Sequence, residues 1–292
     1  VERLLIVGCG DIARRALPEL RRRYRVCALV RSRDPALAAL GIELIEGDLD
    51  DPVSLAPLAG CAERVAHLAP PAASGTVDIR SRNLLAALTP RGRGAMLPQR
   101  FIYLSTSGVY GDCGGDWVDE ARVPRPQTDR ARRRLDAEQA IREWGERNKV
   151  ETVILRVPGI YAEGRLPLER IARGTPALVA EEDVYTNHIH ADDLASIVVA
   201  ALESARARGV YNASDDGSLK LGDFFDLVAD RAGLARPPRV SRKEAALSVA
   251  PEAFSFMSES RRLSNLRLKS HLGVRLRYPT VAEGIPVREP VA

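Results

Sequence analysis

Two glycines and an alanine set the first chemical possibility. In Leu4-Leu5-Ile6-Val7-Gly8-Cys9-Gly10-Asp11-Ile12-Ala13 an apolar run of strand length stops at Gly8. Gly10 follows two positions on, and Ala13 three after that. Gly-x-Gly-x-x-Ala between a strand and a helix is a seat for a dinucleotide diphosphate. Gly8 permits the tight turn, Gly10 has no side chain to hold a pyrophosphate off the backbone, and Ala13 lets the helix pack closely. The N–H groups of Asp11, Ile12 and Ala13, at the positive end of the helix dipole, would face the phosphates. A second set is Arg31 and Arg33, flanking Ser32 directly after the apolar run Arg25 to Val30. A carboxylate there would bind the ribose hydroxyls of NAD, whereas arginine favours a 2′-phosphate. No acid occurs before Asp34, so the expected cofactor is NADP rather than NAD. A third is Thr106 in Ser105-Thr106-Ser107, a hydroxyl able to donate to a carbonyl or accept from an alcohol. The fourth is the run Arg130 to Arg134, whose ends share one helix face and together suit a carboxylate or phosphate. Arg132 and Arg133 are expected to be solvated, paired with Asp129, Asp136 and Glu138.

These residues need a scaffold, and the hydrophobic pattern supplies one. Ile12, Ala13, Ala16, Leu17 and Leu20 recur at helical spacing after the first strand. Further strands are expected at 25–30, 42–46, 64–68, 100–104 and 153–157, with a helix over 77–88. Strands and helices alternating at this interval imply a parallel sheet with right-handed crossovers, an α/β Rossmann-type doubly wound fold. Ligands lie beyond the strand C-termini in such sheets. Gly8, Arg31, Asp48, Ala69 and Thr106 would then share one rim. After residue 156 the rhythm is less regular, with a helix expected over 192–203, a last strand over 210–213 and a helix over 219–232. The expected division is an NAD(P)-binding domain of 1–158 plus 184–214, with a smaller substrate lobe of 159–183 plus 215–292. The few aromatics give no sign of a stacking platform in that lobe.

Composition narrows the function classes. The 292 residues are 45% hydrophobic and 28% charged, ordinary for a globular enzyme. Only four of the 43 basic residues are lysines and the net charge is +4, a bias toward arginine rather than a nucleic-acid-binding tract. No apolar run approaches the ~20 residues that span a bilayer. Val1-Glu2-Arg3 leads straight into a strand with no signal-peptide pattern, so the expected location is cytoplasmic. Cys9, Cys27, Cys61 and Cys113 lack metal-ligand spacing, and reduced thiols without a metal are expected.

Taken in order, the motifs resemble the extended short-chain dehydrogenase/reductases, the NAD-dependent epimerase/dehydratase family. The carriers are Gly47-Asp48-Leu49, His67-Leu68-Ala69, Asn83-Leu84-Leu85, the stretch Tyr103 to Gly111 (YLSTSGVYG), Leu155 to Tyr161 (LRVPGIY) and Ile189 to Ala195 (IHADDLA). Tyr211-Asn212-Ala213-Ser214 and Leu272-Gly273-Val274 with Arg277-Tyr278-Pro279 also fit. The glycine spacing is tighter than the extended family's usual Gly-x-x-Gly-x-x-Gly and points to an atypical branch. The resemblance implies that Asp48 lies near the adenine, that Leu68 and Ala69 lie beside the cofactor, and that Thr106 hydrogen-bonds the reacting oxygen.

One departure matters for chemistry. Family members carry Tyr-x-x-x-Lys on the helix after the fifth strand, the lysine lowering the tyrosine's pKa and binding the nicotinamide ribose. Anchoring on Leu135 and Glu138 puts Arg130 at the tyrosine position and Arg134 at the lysine position. A guanidinium stays charged and accepts no hydrogen bond, so Arg130 cannot transfer the proton. Arg130 is left to hold a substrate anion, and Arg134 to contact the ribose or a phosphate. Tyr110 is the first candidate to replace the tyrosine. Tyr161 is expected near the substrate mouth, His188 and His190 to pack or cap, and the loop 111–116 to be able to cover the cleft. Two functions follow. One is an NADP-dependent oxidoreductase or epimerase/dehydratase-type enzyme acting on a small molecule, anionic or sugar-nucleotide-like. The other is a catalytically inactive NADP-binding redox sensor or partner-binding module. Homodimers through paired helices are common in the family, although Arg132 and Arg133 oppose that packing.

Overall fold

The computed structural model describes residues 1–89 and 96–286. Strand and helix alternate from the start: β1 (Arg3–Val7), α1 (Asp11–Arg23), β2 (Arg25–Val30), α2 (Pro35–Ala39), β3 (Glu43–Glu46), β4 (Arg64–His67), α3 (Ile79–Leu88) and β5 (Arg100–Thr106). There follow β6 (Trp117–Val118), α4 (Asp129–Asn148), β7 (Glu151–Val157), β8 (Gly159–Tyr161), α5 (Leu168–Ala172), β9 (Ala177–Leu178), β10 (His188–His190), α6 (Ala191–Glu203) and β11 (Gly209–Asn212). The remainder is α7 (Leu221–Ala232), β12 (Arg239–Val240), α8 (Arg242–Ser248), α9 (Pro251–Phe256), β13 (Arg262–Leu263), α10 (Leu266–Leu272) and α11 (Val281–Gly284).

Seven strands form one parallel sheet in the order β11-β7-β5-β4-β1-β2-β3. The order runs outward in both directions from β1 and β4, which makes the gap above that pair the switch point where such sheets open a crevice. The sheet is covered on both faces, and β1 shows why. Leu4 and Ile6 pack with Ile12, Leu17 and Leu20 of α1 and with α6. Leu5 and Val7, pointing the other way, pack with Leu84 of α3 and with Ile141 and Trp144 of α4. A strand buried on both faces reads as a continuous apolar run because each alternate residue has its own hydrophobic layer. Burial of each such side chain is worth roughly 1.5–3 kcal/mol.

A third core draws on Tyr161, Ile171, Leu178, Phe224, Phe225 and Met257, together with Val281 and Ile285. Residues 287–292 of the expected 215–292 segment lie outside the described residues. Several boundaries differ from expectation. β5 continues to Thr106, so this residue closes the strand rather than following it. The helix expected from Val77 begins at Ile79, because Asp78 caps it and accepts from the Ser81 N–H. The strand expected over 210–213 is Gly209–Asn212 and is not the last, since β12 pairs with β9 and β13 with β6. The helix expected from Leu219 starts at Leu221. All four cysteines are free thiols. Among the described residues no helix is long and apolar enough to cross a membrane.

Candidate functional site

Two adjoining clefts open along the C-terminal rim of the sheet. The first, of about 400 Å³, is lined by Gly8, Arg31, Asp48 and Ala69 among others. The turn that opens it is tight. Gly8 has φ +93°, and a β-carbon there would come within 2.4 Å of the Ala69 nitrogen. The Leu68 N–H donates to the Val7 carbonyl at 2.7 Å and fixes this approach of the β1 and β4 ends. Gly10 differs, for a β-carbon on it would meet nothing within 4 Å. It is also the N-cap of α1, with no side chain capping the helix. The first intrahelical bond is from Arg14 N to Gly10 O, leaving the N–H groups of Asp11, Ile12 and Ala13 ahead of the ladder. Ile12 and Ala13 are buried against the sheet, so they present backbone alone. The Asp11 carboxylate is held by Arg15 at 2.8 Å and Arg165 at 3.0 Å. An open space at uncapped N–H donors is what a diphosphate requires. The Cys9 thiol beside it is neutral, pushed up to about 11 by burial.

At the end of β2 the nearest acid is already committed. Asp34 accepts from the Ala36 and Leu37 N–H groups at the start of α2 and from Arg14 at 2.6 Å. Arg31 and Arg33 are both exposed, and of the two Arg31 lines the cleft. Asp48 lines the same cleft, its backbone N–H held by Ser54 Oγ at 2.8 Å.

The second cleft, of about 510 Å³, is lined by Thr106, Arg130 and Arg134 together with residues of the smaller core. Thr106 Oγ1 accepts from the Gly108 N–H at 3.2 Å. Arg130 stacks on Phe256 at 4.0 Å and donates to Ser255 Oγ at 3.1 Å. Arg134 Nη1 donates to the Tyr103 hydroxyl at 3.0 Å and the Leu104 carbonyl at 2.9 Å. Tyr185, Phe225 and Phe256 also face this cleft, so aromatic rings are present where low aromatic content suggested none.

Other candidates are placed elsewhere. Tyr110 is 1% exposed, its hydroxyl donating to Asn212 Oδ1 at 2.8 Å and pushed up to about 12 by burial. It lines neither cleft, because the turn after Thr106 directs it inward. Tyr161 is buried in the smaller core and donates to the Thr280 carbonyl at 3.2 Å. His188 stacks on Phe224 at 4.1 Å and is held neutral by burial, while His190 Nδ1 caps α6 by accepting from the Asp192 N–H. The loop expected to cover the cleft is tied down, since Cys113 and Gly115 both donate to the Ser260 carbonyl at 3.0 Å. Arg132 pairs with Asp129 as expected, but Arg133 is buried and donates to the Gly75 carbonyl, and Asp136 pairs with Arg82.

Glu138, expected to balance the arginines of its own helix, does not. It is fully buried, receiving Arg156 of β7 at 2.8 Å and Ser105 Oγ at 2.5 Å. This ion pair locks α4 to the ends of β5 and β7, next to Thr106. Its sequence signal is confined to separate motifs, and nothing in either one names the other as its partner. Arg170 and Arg261, also in the second cleft, carry no spacing signal at all.

A sequence profile of the NAD dependent epimerase/dehydratase family matches residues 4–214. The chain is 27% identical over 165 residues to a GDP-6-deoxy-D-mannose reductase of Pseudomonas aeruginosa, a match covering 51% of this chain and 53% of that protein, about half the length of each. A functionally unknown conserved protein from Silicibacter pomeroyi has a similar structure, with a TM-score of 0.76 and 28% identity over 98% of this chain and 97% of that one. The UDP-glucose 4-epimerase of Thermus thermophilus, solved as a complex with NAD, shares the fold at a TM-score of 0.75 and 24% identity, covering 98% and 97% of the two chains.

Proposed function

This chain belongs to the NAD-dependent epimerase/dehydratase family, and on that premise we propose that it is an NADP-binding enzyme of the oxidoreductase or epimerase/dehydratase type with a non-standard active site. The observation that carries the cofactor assignment is Gly10, whose missing side chain leaves open space at the uncapped start of α1. A diphosphate seated there would take the N–H groups of Asp11, Ile12 and Ala13. Arg31 would take the 2′-phosphate, and Asp34 offers no competing repulsion because Arg14 neutralises it. Asp48 would lie by the adenine, with Leu68 and Ala69 beside the cofactor. When bound, the nicotinamide gives or takes a hydride.

The chain's own residues supply the rest. Thr106 Oγ1 accepts one hydrogen bond, from the Gly108 N–H, and donates none among the described residues, so its hydroxyl proton is available to a substrate oxygen. Arg130 and its neighbours make the second cleft cationic and favour an anionic small molecule, of which a sugar nucleotide is one kind. Arg134 fixes the end of β5 and reaches the same cleft, where the ribose would lie.

A second reading, an inactive NADP-binding sensor, is favoured by one observation. Tyr110, the first candidate for the missing acid or base, is sealed away from both clefts. Turnover of a carbonyl-substrate panel, followed at the nicotinamide absorbance, separates the two. Activity that falls at least about a hundredfold in Thr106→Ala, with NADPH affinity retained, supports the enzyme. NADPH binding without turnover of any panel member supports the sensor.

A further inference from the structure

The second cleft holds four arginines, Arg130, Arg134, Arg170 and Arg261, against one carboxylate, Glu259. Three of the four have acceptors in the protein. Arg130 reaches Ser255, Arg134 reaches Leu104, and Arg261 donates to Glu259 at 2.8 Å and to the Gly111 carbonyl at 2.7 Å. Arg170 has none among the described residues. Its Nε and Nη2 are sealed from water without an acceptor. Burial alone pushes its pKa down, with no carboxylate offsetting it. The neighbouring acid on α5, Glu169, pairs with Arg173 instead.

A buried arginine kept for structure looks different. Arg156 is more deeply buried and also has one orphaned nitrogen, Nη1, but it has Glu138 as its counter-ion. Arg170 has only the ring of Phe225, 4.4 Å from its guanidinium carbon, and a cation–π contact offsets part of the desolvation of a charge but not all of it. The two orphaned donors are also not an arbitrary pair. Nε and Nη2 form one edge of the guanidinium, the parallel donors that grip a carboxylate or phosphate side-on. Orphaned buried donors call for an explanation, and two parallel N–H groups are the geometry an anion fits.

We propose that Arg170 anchors the anionic group of the substrate, a carboxylate or a phosphate, through its Nε–Nη2 edge in the second cleft, with Phe225 holding the guanidinium plane in position. This deepens the function proposed above, and rests on it in taking the second cleft as the substrate site. The edge is sealed as it stands, so the side chain must turn on the Phe225 ring before an anion in the cleft can meet it. Arg130, stacked in the same way on Phe256, then faces the remainder of the molecule.

The test uses the full chain saturated with NADPH, and titrates inorganic phosphate, pyrophosphate and succinate into wild type, Arg170→Met and Arg170→Lys by calorimetry and thermal shift. At least one anion is expected to bind wild type, with Arg170→Met weakening it at least about tenfold and Arg170→Lys by less. The anion that binds best tells phosphate from carboxylate. NADPH affinity is expected to be unchanged in both variants. Without anion, Arg170→Met is expected to melt at a higher temperature than wild type, because it removes a half-buried charge that has no carboxylate partner. The assignment is overturned if no anion binds wild type, if Arg170→Met keeps wild-type anion affinity, or if it melts lower without anion, the mark of a structural role. Repeating the titrations without NADPH separates this outcome from a failure of cofactor binding. Wild type that ignores NADPH but loses anion binding with Arg170→Met sinks the cofactor assignment alone.

Discussion

Arg134 donates from Nη1 to the carbonyl of Leu104 at 2.9 Å, tying the helix that faces the second cleft to the strand that ends in Thr106. A side chain that the family resemblance assigns to the cofactor is therefore also a strut. Arg134→Met removes the hydrogen bonds to the Leu104 carbonyl and the Tyr103 hydroxyl and is expected to lower stability by about 1.5–3 kcal/mol, the usual range for a hydrogen bond to a charged group. It is also expected to weaken NADPH several-fold. Denaturant unfolding and calorimetry read the two effects separately, and a stability loss with unchanged NADPH affinity would leave Arg134 with the strut role only.

The two glycines of the first turn are expected to fail in different ways. Gly8→Ala forces a β-carbon into the Ala69 backbone at a φ of +93°, so the expected result is a loss of stability of roughly 3 kcal/mol or more. Gly10→Ala meets open space and is expected to keep the fold within about 1 kcal/mol. Its methyl group would enter the proposed diphosphate seat and lower NADPH affinity at least about tenfold. Melting curves alongside cofactor titration of both variants check the contrast.

Asp215 gives a pH signature of known sign. Its carboxyl is 2% exposed and is raised to about 7 by burial, with Asp216 and Asp193 adding repulsion. In the unfolded chain the same group titrates near about 3.9. Between those values the native state keeps a proton that the unfolded state has released, so this group costs stability as pH rises through the window and the cost levels off above 7. Asp215→Asn keeps an acceptor for the Gly217 N–H, which donates to Oδ1 at 2.9 Å, and removes the charge. The variant is expected to match wild type near pH 4 and to exceed it increasingly up to pH 7–8, with a ceiling on the order of 4 kcal/mol. A constant difference across that range would contradict the assignment.

The main sheet was legible because its strands are buried on both faces, which leaves apolar runs such as Leu4 to Val7 and Phe101 to Leu104 in plain view. The glycine turn was legible because its spacing and its strand-to-helix context are local. The pairings of β6 with β13 and β9 with β12 were not, since two-residue strands carry no periodicity and their partners lie far along the chain. Charge misled in the same way. Arg132 and Arg133 are adjacent and chemically identical, yet one is solvated and the other meets the Gly75 carbonyl, a contact set by a distant loop. Tyr110 stands four residues after Thr106, but the glycine-containing turn between them sends its hydroxyl to Asn212.

Calorimetric titration of the full chain with NADPH and with NADH, beside an Arg31→Ser variant, tests the central assignment most directly. NADPH is expected to bind wild type more tightly than NADH, and Arg31→Ser to erase most of that preference while leaving NADH affinity unchanged. Failure of wild type to bind either nucleotide, or a preference for NADH, would contradict it.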